Sequence, residues 1–170
     1  GAAPGVYLDS RKYMRDTLQL FDDVRSRIGF DVELCHDVHE RLKPVDAIAF
    51  AQQVERFELF FLEDAIALEE GEWIRQLRAK TRTPLAQGEL FNHPFEWRSL
   101  ITERLIDFIR VHLSQIGGIT PAQKIAHLCE WYGVNTAWQE GGDNDPVNQA
   151  AAMHLDLVSW SFGIQEENHF

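Results

Sequence analysis

The sequence is short of positive charge. Sixteen Lys and Arg residues stand against 27 Asp and Glu, which leaves a formal net charge of -11. That balance repels a phosphate backbone, and no basic stripe with interleaved aromatics offsets it, so nucleic acid is not an expected partner. Cysteine is scarce too: Cys35 and Cys129 are the two, and neither belongs to a CxxC. The simplest expectation is a pair of buried free thiols in a reducing, cytoplasmic setting. Long apolar runs are missing, since none approaches the 18 or so residues of a membrane helix. The start "GAAPGVYLDSRKY" lacks the charged segment and apolar run of a secretory signal. What is present suits a globular chain. Its 170 residues are 45% hydrophobic and 25% charged, enough for one domain with a real core.

Short apolar runs that end in polar residues recur at about 25 residues. They are "VELCHD" (32–37), "LFFLED" (59–64), "PLAQGE" (84–89), "FIRVHLS" (108–114), "VNTAWQE" (134–140) and "SFGIQEE" (161–167). Nearly continuous apolar runs are expected of parallel strands covered on both faces. Helical patterns fill the gaps. Tyr13, Thr17, Leu20, Phe21, Val24 and Ile28 form one stripe at three- and four-residue spacing, and Gly29 ends it. Pro44 opens a second helix. Trp73, Ile74 and Leu77 mark a short third, and "HPFEWRSLITERL" a fourth. Thr120, Pro121 and Gln123 read as cap, first position and capping box of a helix that Gly133 ends. Asp145 and Pro146 start the last one. The alternation gives an α/β chain of about six strands. It is compatible with an open doubly wound sheet or with part of a (β/α) barrel, since a whole barrel takes about 250 residues.

Asp37, Glu63 and Glu89 follow one another at 26-residue intervals, each at the carboxyl end of an expected strand. Such ends share one side of the sheet, where α/β folds place their sites. Neighbouring strands lie about 4.8 Å apart. Three carboxylates that close would repel one another, and a divalent cation removes the penalty. All-oxygen ligation favours Mg²⁺ over zinc. Acidic residues after strands also cap helices or sit in solvated loops, and local chemistry does not choose between Glu63 and Asp64. His36 and His39 flank Asp37. Strand alternation puts His39 on the side of Asp37 and His36 on the other. His39 can act as acid or base there, or be an ordinary surface histidine. Arg110 is a charge inside an apolar strand, so it needs a partner: a substrate carboxylate, or the acidic cluster.

Together, "HDVHERL", "FFLEDAI", "PLAQGELFN", "LIDFIRVHLSQIGGIT" and "FGIQEENHF" resemble the D-mannonate dehydratase branch of the enolase superfamily, many of whose members carry a starvation-sensing label. The resemblance runs from about Tyr13 to Phe170. It implies a TIM-like (β/α)7β barrel of the mandelate racemase/muconate lactonizing type, of which residues 1–170 carry about six strands. The capping domain and first barrel strands are unmatched. It implies Mg²⁺ held by Asp37, Glu63 and Glu89, which settles the second ligand on Glu63. It implies His39 as the acid that protonates a departing 3-hydroxyl, Arg110 as a substrate contact and Glu166 near the substrate hydroxyls. The implied reaction is dehydration of a hexonic sugar acid, D-mannonate or D-gluconate in kind, through an enediolate.

Gln139 stands where active relatives carry a histidine, in "AWQEGGDNDP". An amide neither takes nor gives a proton near neutral pH, though it hydrogen-bonds a hydroxyl. The expectation is therefore a dehydratase weakened or silenced at Gln139. The alternatives are a non-catalytic ligand-binding or regulatory relative, or an isolated half-barrel. Missing strands would leave open edges, which implies a homo-oligomer or association with the rest of the barrel.

Overall fold

Short strands of two or three residues alternate with helices along the chain. The computed structural model describes residues 8–139 and 145–166. The chain divides into two compact units, residues 1–84 and 85–170.

In the first unit α1 is Ser10–Ile28, β1 Cys35–Asp37, α2 Pro44–Val54, β2 Phe61–Glu63 and α3 Ile74–Lys80. Asp9 caps α1 by accepting from the Lys12 N–H, and Pro44 opens α2 where its missing N–H costs nothing. The two strands are parallel, with Cys35 opposite Phe61, His36 opposite Leu62 and Asp37 opposite Glu63. Val38, Phe50, Val54, Leu62 and Ile66 are fully buried and form the core between strands and helices. The apolar stripe of α1 is narrower than its spacing suggests. Thr17, Phe21 and Arg25 are buried, while Leu20 is 56% exposed. Arg25 is tolerated inside because its guanidinium donates to the carbonyls of Phe57, Gly29, Val32 and Glu58. That role is invisible to a pattern search, because the four acceptors are main-chain atoms.

In the second unit β3 is Leu85–Gln87, α4 Pro94–Thr102, β4 Phe108–Ile109, α5 Leu113–Ile116, α6 Ile119–Tyr132, β5 Asn135–Thr136 and α7 Pro146–Asp156. Strands β3, β4 and β5 are consecutive and parallel: Ala86 faces Phe108, which faces Asn135, and Gln87 faces Ile109, which faces Thr136. The sixth expected strand is reduced to one bridge, Phe162 to Thr136. Gly163 donates to the Thr136 carbonyl and presses so close that a Cβ there would lie 2.8 Å from Phe108 Cε1.

Two local expectations are corrected. Helix α6 starts one residue before Thr120, with Gly118 at its N-cap, so Thr120 and Gln123 form no capping box. The capping box occurs instead at α4, between His93 and Glu96. Cys35 is exposed rather than buried, because it shares the side of β1 with Asp37; Cys129 is fully buried in α6. No helix among the described residues is long and apolar enough to cross a membrane.

Candidate functional site

The "CHD" strand separates its titratable groups by side. His36 turns toward the helices, where its Nε2 lies 2.8 Å from the Tyr13 hydroxyl and its ring meets Phe21 edge-on at 5.2 Å. Burial, with a smaller contribution from the Arg41 charge, lowers its pKa to about 4. His36 is thus a neutral packing residue, and the Tyr13 hydroxyl is the natural donor to it.

Asp37 takes the other side. Its in-register neighbour is Glu63, and paired residues of parallel strands point the same way, about 4.8 Å apart. The ladder continues past the strand ends: the Val38 N–H donates to the Glu63 carbonyl and the Glu40 N–H to the Asp64 carbonyl. Asp37 Oδ1 accepts from the His39 N–H at 2.6 Å, which ties the turn to the carboxylate. His39 and Glu40 then adopt φ of 54° and 57°, a left-handed pair. Left-handed backbone is costly for residues with a Cβ and persists where surrounding contacts impose it. The turn brings a ligating atom of His39 within 4.8 Å of one on Asp37, and the same limit holds for Glu63 and Asp64. Glu63 is 5% exposed and Asp64 2%. The first unit therefore presents Asp37, His39 and Glu63 at the carboxyl ends of two adjacent strands.

In the second unit Glu89 lies two residues beyond β3 and is half-buried. Gly88 between them has φ of 138°, and a Cβ there would stand 3.1 Å from Phe91 and 3.2 Å from the Arg110 nitrogen. A glycine is required for β3 to end this close to β4. Arg110 follows β4 and is 5% exposed. Its Nη1 donates to the carbonyls of Ala137 and Trp138, and its Nη2 to Glu166 Oε2 at 3.1 Å. Two residues singled out in the sequence, Arg110 and Glu166, are thus an ion pair. Their charges are fixed by main chain on one side and open to a third group on the other, since Glu166 keeps a third of its side-chain surface.

Gln139 follows Trp138 directly. Its N–H donates to the Val111 carbonyl, and its side-chain Oε1 is buried without a hydrogen-bond partner. Glu140 lies outside the described residues. Trp138 is fully buried, whereas Trp160 is 93% exposed. Asp156, which pattern reading passed over, has both carboxylate oxygens buried without a hydrogen-bond partner of good geometry.

Residues 6–170 match the family described as Enolase C-terminal domain-like. A D-galactonate dehydratase family member of Paenibacillus sp. (strain JDR-2) is 56% identical over 166 residues, which are 98% of this chain and 41% of that protein. A D-mannonate dehydratase of Caulobacter sp. (strain K31) is 41% identical over 155 residues, 91% of this chain and 38% of that protein. The crystal structure of an enolase from Pantoea ananatis, with bound D-gluconate and Mg, superposes with a TM-score of 0.95 at 50% identity, covering 100% of this chain and 41% of that one. The chain thus spans about two fifths of the length of these relatives. Its α/β fold, parallel strands flanked by helices, is part of the TIM-like barrel of the enolase superfamily.

Proposed function

Because the chain belongs to the Enolase C-terminal domain-like family, we propose that it carries the metal- and substrate-holding part of a Mg²⁺-dependent sugar-acid dehydratase. The observation that carries this reading is the register that sets Asp37 opposite Glu63 at the carboxyl ends of β1 and β2. The donor set fits the ion. Carboxylates are the hard oxygen ligands Mg²⁺ takes, and Glu63 is a buried one at 5% exposure. Asp37, Glu63 and Glu89 are the proposed ligands. Bound there, Mg²⁺ supplies electrophilic stabilisation of a substrate carboxylate as charge builds on its oxygens.

The protein's own residues do the rest. His39 is exposed at the turn after β1, and its imidazole is suited to give a proton to a leaving hydroxyl. Arg110, locked by the carbonyls of Ala137 and Trp138, presents a fixed positive charge to an acid substrate. Glu166, held by Arg110, keeps exposed surface for substrate hydroxyls. Gln139 offers an unpartnered amide oxygen to another. A hexonate of the D-gluconate, D-mannonate or D-galactonate kind matches this set. The names of the relatives, and the gluconate bound in the Pantoea structure, support that class.

The full-length protein with Mg²⁺ is expected to convert one member of a hexonate panel to its 2-keto-3-deoxy acid. Asp37→Asn should weaken Mg²⁺ binding by about tenfold or more in calorimetry, because disturbing even an outer-shell partner typically costs ten- to a hundredfold. Failure of the unmodified protein to bind Mg²⁺ would remove the reading. Gln139 favours a second one. An amide at that position binds but does not transfer a proton, which suits a hexonate-binding protein without turnover. Hexonate binding in calorimetry without product would establish it.

A further inference from the structure

The strand register between β1 and β2 ends at Asp37 and Glu63. His39 and Glu40 lie beyond it, in consecutive left-handed conformations with φ of 54° and 57°. Residues with a Cβ resist that conformation, so the turn needs contacts that impose it. Some are made by the turn's own backbone. The His39 N–H donates to Asp37 Oδ1, the Arg41 N–H to the Val38 carbonyl, and the Glu40 N–H to the Asp64 carbonyl at 2.8 Å. Another comes from a side chain. Glu40 Oε1 accepts from the Leu68 N–H at 3.1 Å, 28 residues away in sequence. Leu68 opens a 3-10 helix, Leu68–Trp73, whose N-cap Ala67 has no side-chain oxygen to take up that N–H. Glu40 supplies the missing cap from the neighbouring turn. The segment it grips is a firm anchor, because Ala65 is 2% exposed and Ile66 fully buried between the two points of attachment.

Glu40 thus holds the segment after β2 twice, by its main-chain N–H and by its side-chain oxygen. His39 stands between that double hold and Asp37, which accepts from the His39 N–H. We propose that Glu40 is a positioning residue for His39: its side-chain oxygen on the Leu68 N–H locks the left-handed turn that carries the imidazole beside Asp37. The proposal rests on the reading of His39 as the proton donor to a leaving hydroxyl. A proton donor must come within about 3 Å of the atom it serves, and a turn released from the left-handed conformation carries the imidazole away. Asp37 and Glu63 belong to the strand register itself. Loss of the Glu40 side chain therefore acts on His39 and spares the metal ligands.

The test uses the full-length protein with Glu40→Ala and Glu40→Gln variants, and D-gluconate, D-mannonate and D-galactonate as substrates. Both variants keep the Cβ, so the cost of the left-handed backbone is unchanged, and Gln keeps an acceptor oxygen where Ala has none. Glu40→Ala should lower kcat about tenfold or more, with KM and Mg²⁺ affinity within about twofold of the unmodified protein. Glu40→Gln should restore most of the loss. Amide hydrogen exchange in the metal-free protein should show faster exchange of the His39, Glu40 and Leu68 N–H groups in Glu40→Ala, and near-normal exchange in Glu40→Gln. Unchanged exchange in Glu40→Ala overturns the proposal. So does a Glu40→Gln variant as impaired as Glu40→Ala, or a loss of Mg²⁺ affinity as large as the loss of kcat. Should Glu40→Ala fail to fold, Leu68→Pro decides. It removes the donor at the first position of the helix, where proline is tolerated. Unchanged exchange at His39 and Glu40 in that variant overturns the proposal. Absence of turnover by the unmodified protein would instead defeat the dehydratase reading. The exchange comparison needs neither metal nor substrate, and it decides separately whether Glu40 holds the turn.

Discussion

At the scale of single residues, the run His36, Asp37, Val38, His39 shows how a strand end allots roles. One step along the backbone reverses the side, so His36 is packed against Tyr13, Phe21 and Phe50 while Asp37 faces Glu63's side. Tyr13 is held in place by its hydroxyl on His36 Nε2, in surroundings that raise its own pKa chiefly through burial. Tyr13→Phe removes the donor and leaves a half-buried ring nitrogen without it. A loss of about 1 kcal/mol is expected in denaturant unfolding of the full-length protein, with Mg²⁺ affinity little changed. A much larger loss of affinity would mean that the β1 backbone depends on this bond to place Asp37. The Cys129 thiol, pushed up to about 12 by burial and then by the Glu130 charge, is inert to alkylation in the folded state, whereas Cys35 is exposed.

At the scale of elements, the strands are very short, two or three residues each, and their ends are fixed by what crosses them. Gly88 and Gly163 are the tightest points. Gly163→Ala would put a methyl 2.8 Å from Phe108 Cε1 and 2.9 Å from Asn135 Cβ, both across β4 and β5. Neither neighbour is the far end of a flexible chain, so the bridge from Phe162 to Thr136 must shift. A destabilisation of about 1–3 kcal/mol is expected, typical of overpacking, read as a lower denaturation midpoint with the slope unchanged. The helix starts follow local chemistry more closely than the strands do. Asp145 caps α7 through the Val147 and Asn148 N–H groups, as its place before Pro146 implies. Gly133 closes α6 in the left-handed conformation. Gly29 closes α1 with φ of 66° but ψ of -146°, so it ends the helix outside the left-handed helical well.

At the scale of the whole molecule, stability depends on pH through groups whose pKa differs between the folded and the unfolded chain. Asp156 contributes with an unusual sign. Its folded-state pKa of about 7 lies above the ordinary 3.8, so the folded protein keeps a proton that the unfolded chain has lost. This group's contribution is constant below pH 3.8, falls as pH rises toward 7, and is constant again above. Asp156→Asn should therefore flatten the decline in melting temperature between about pH 5 and 7, since an amide has no such charge to bury. An unchanged slope in the variant would show that Asp156 is already ionised in the fold.

Much of this was legible in the chain itself. Periodic apolar runs established the α/β alternation. The even spacing of Asp37, Glu63 and Glu89 marked the strand ends, and Arg110 announced a partner by being charged inside an apolar run. These signals are local: side-chain alternation, caps and turn glycines are properties of a few consecutive residues. What only the tertiary structure decided depends on groups far apart in sequence. Arg25 finds two of its four carbonyl acceptors, Phe57 and Glu58, 32 and 33 residues away. Arg110 finds Glu166, 56 residues away. Cys35 is exposed because of the side of β1 it occupies. Residue type specifies which chemistry a side chain can do, but burial and long-range pairing set its charge and its partner, and those arise only when the chain has closed on itself.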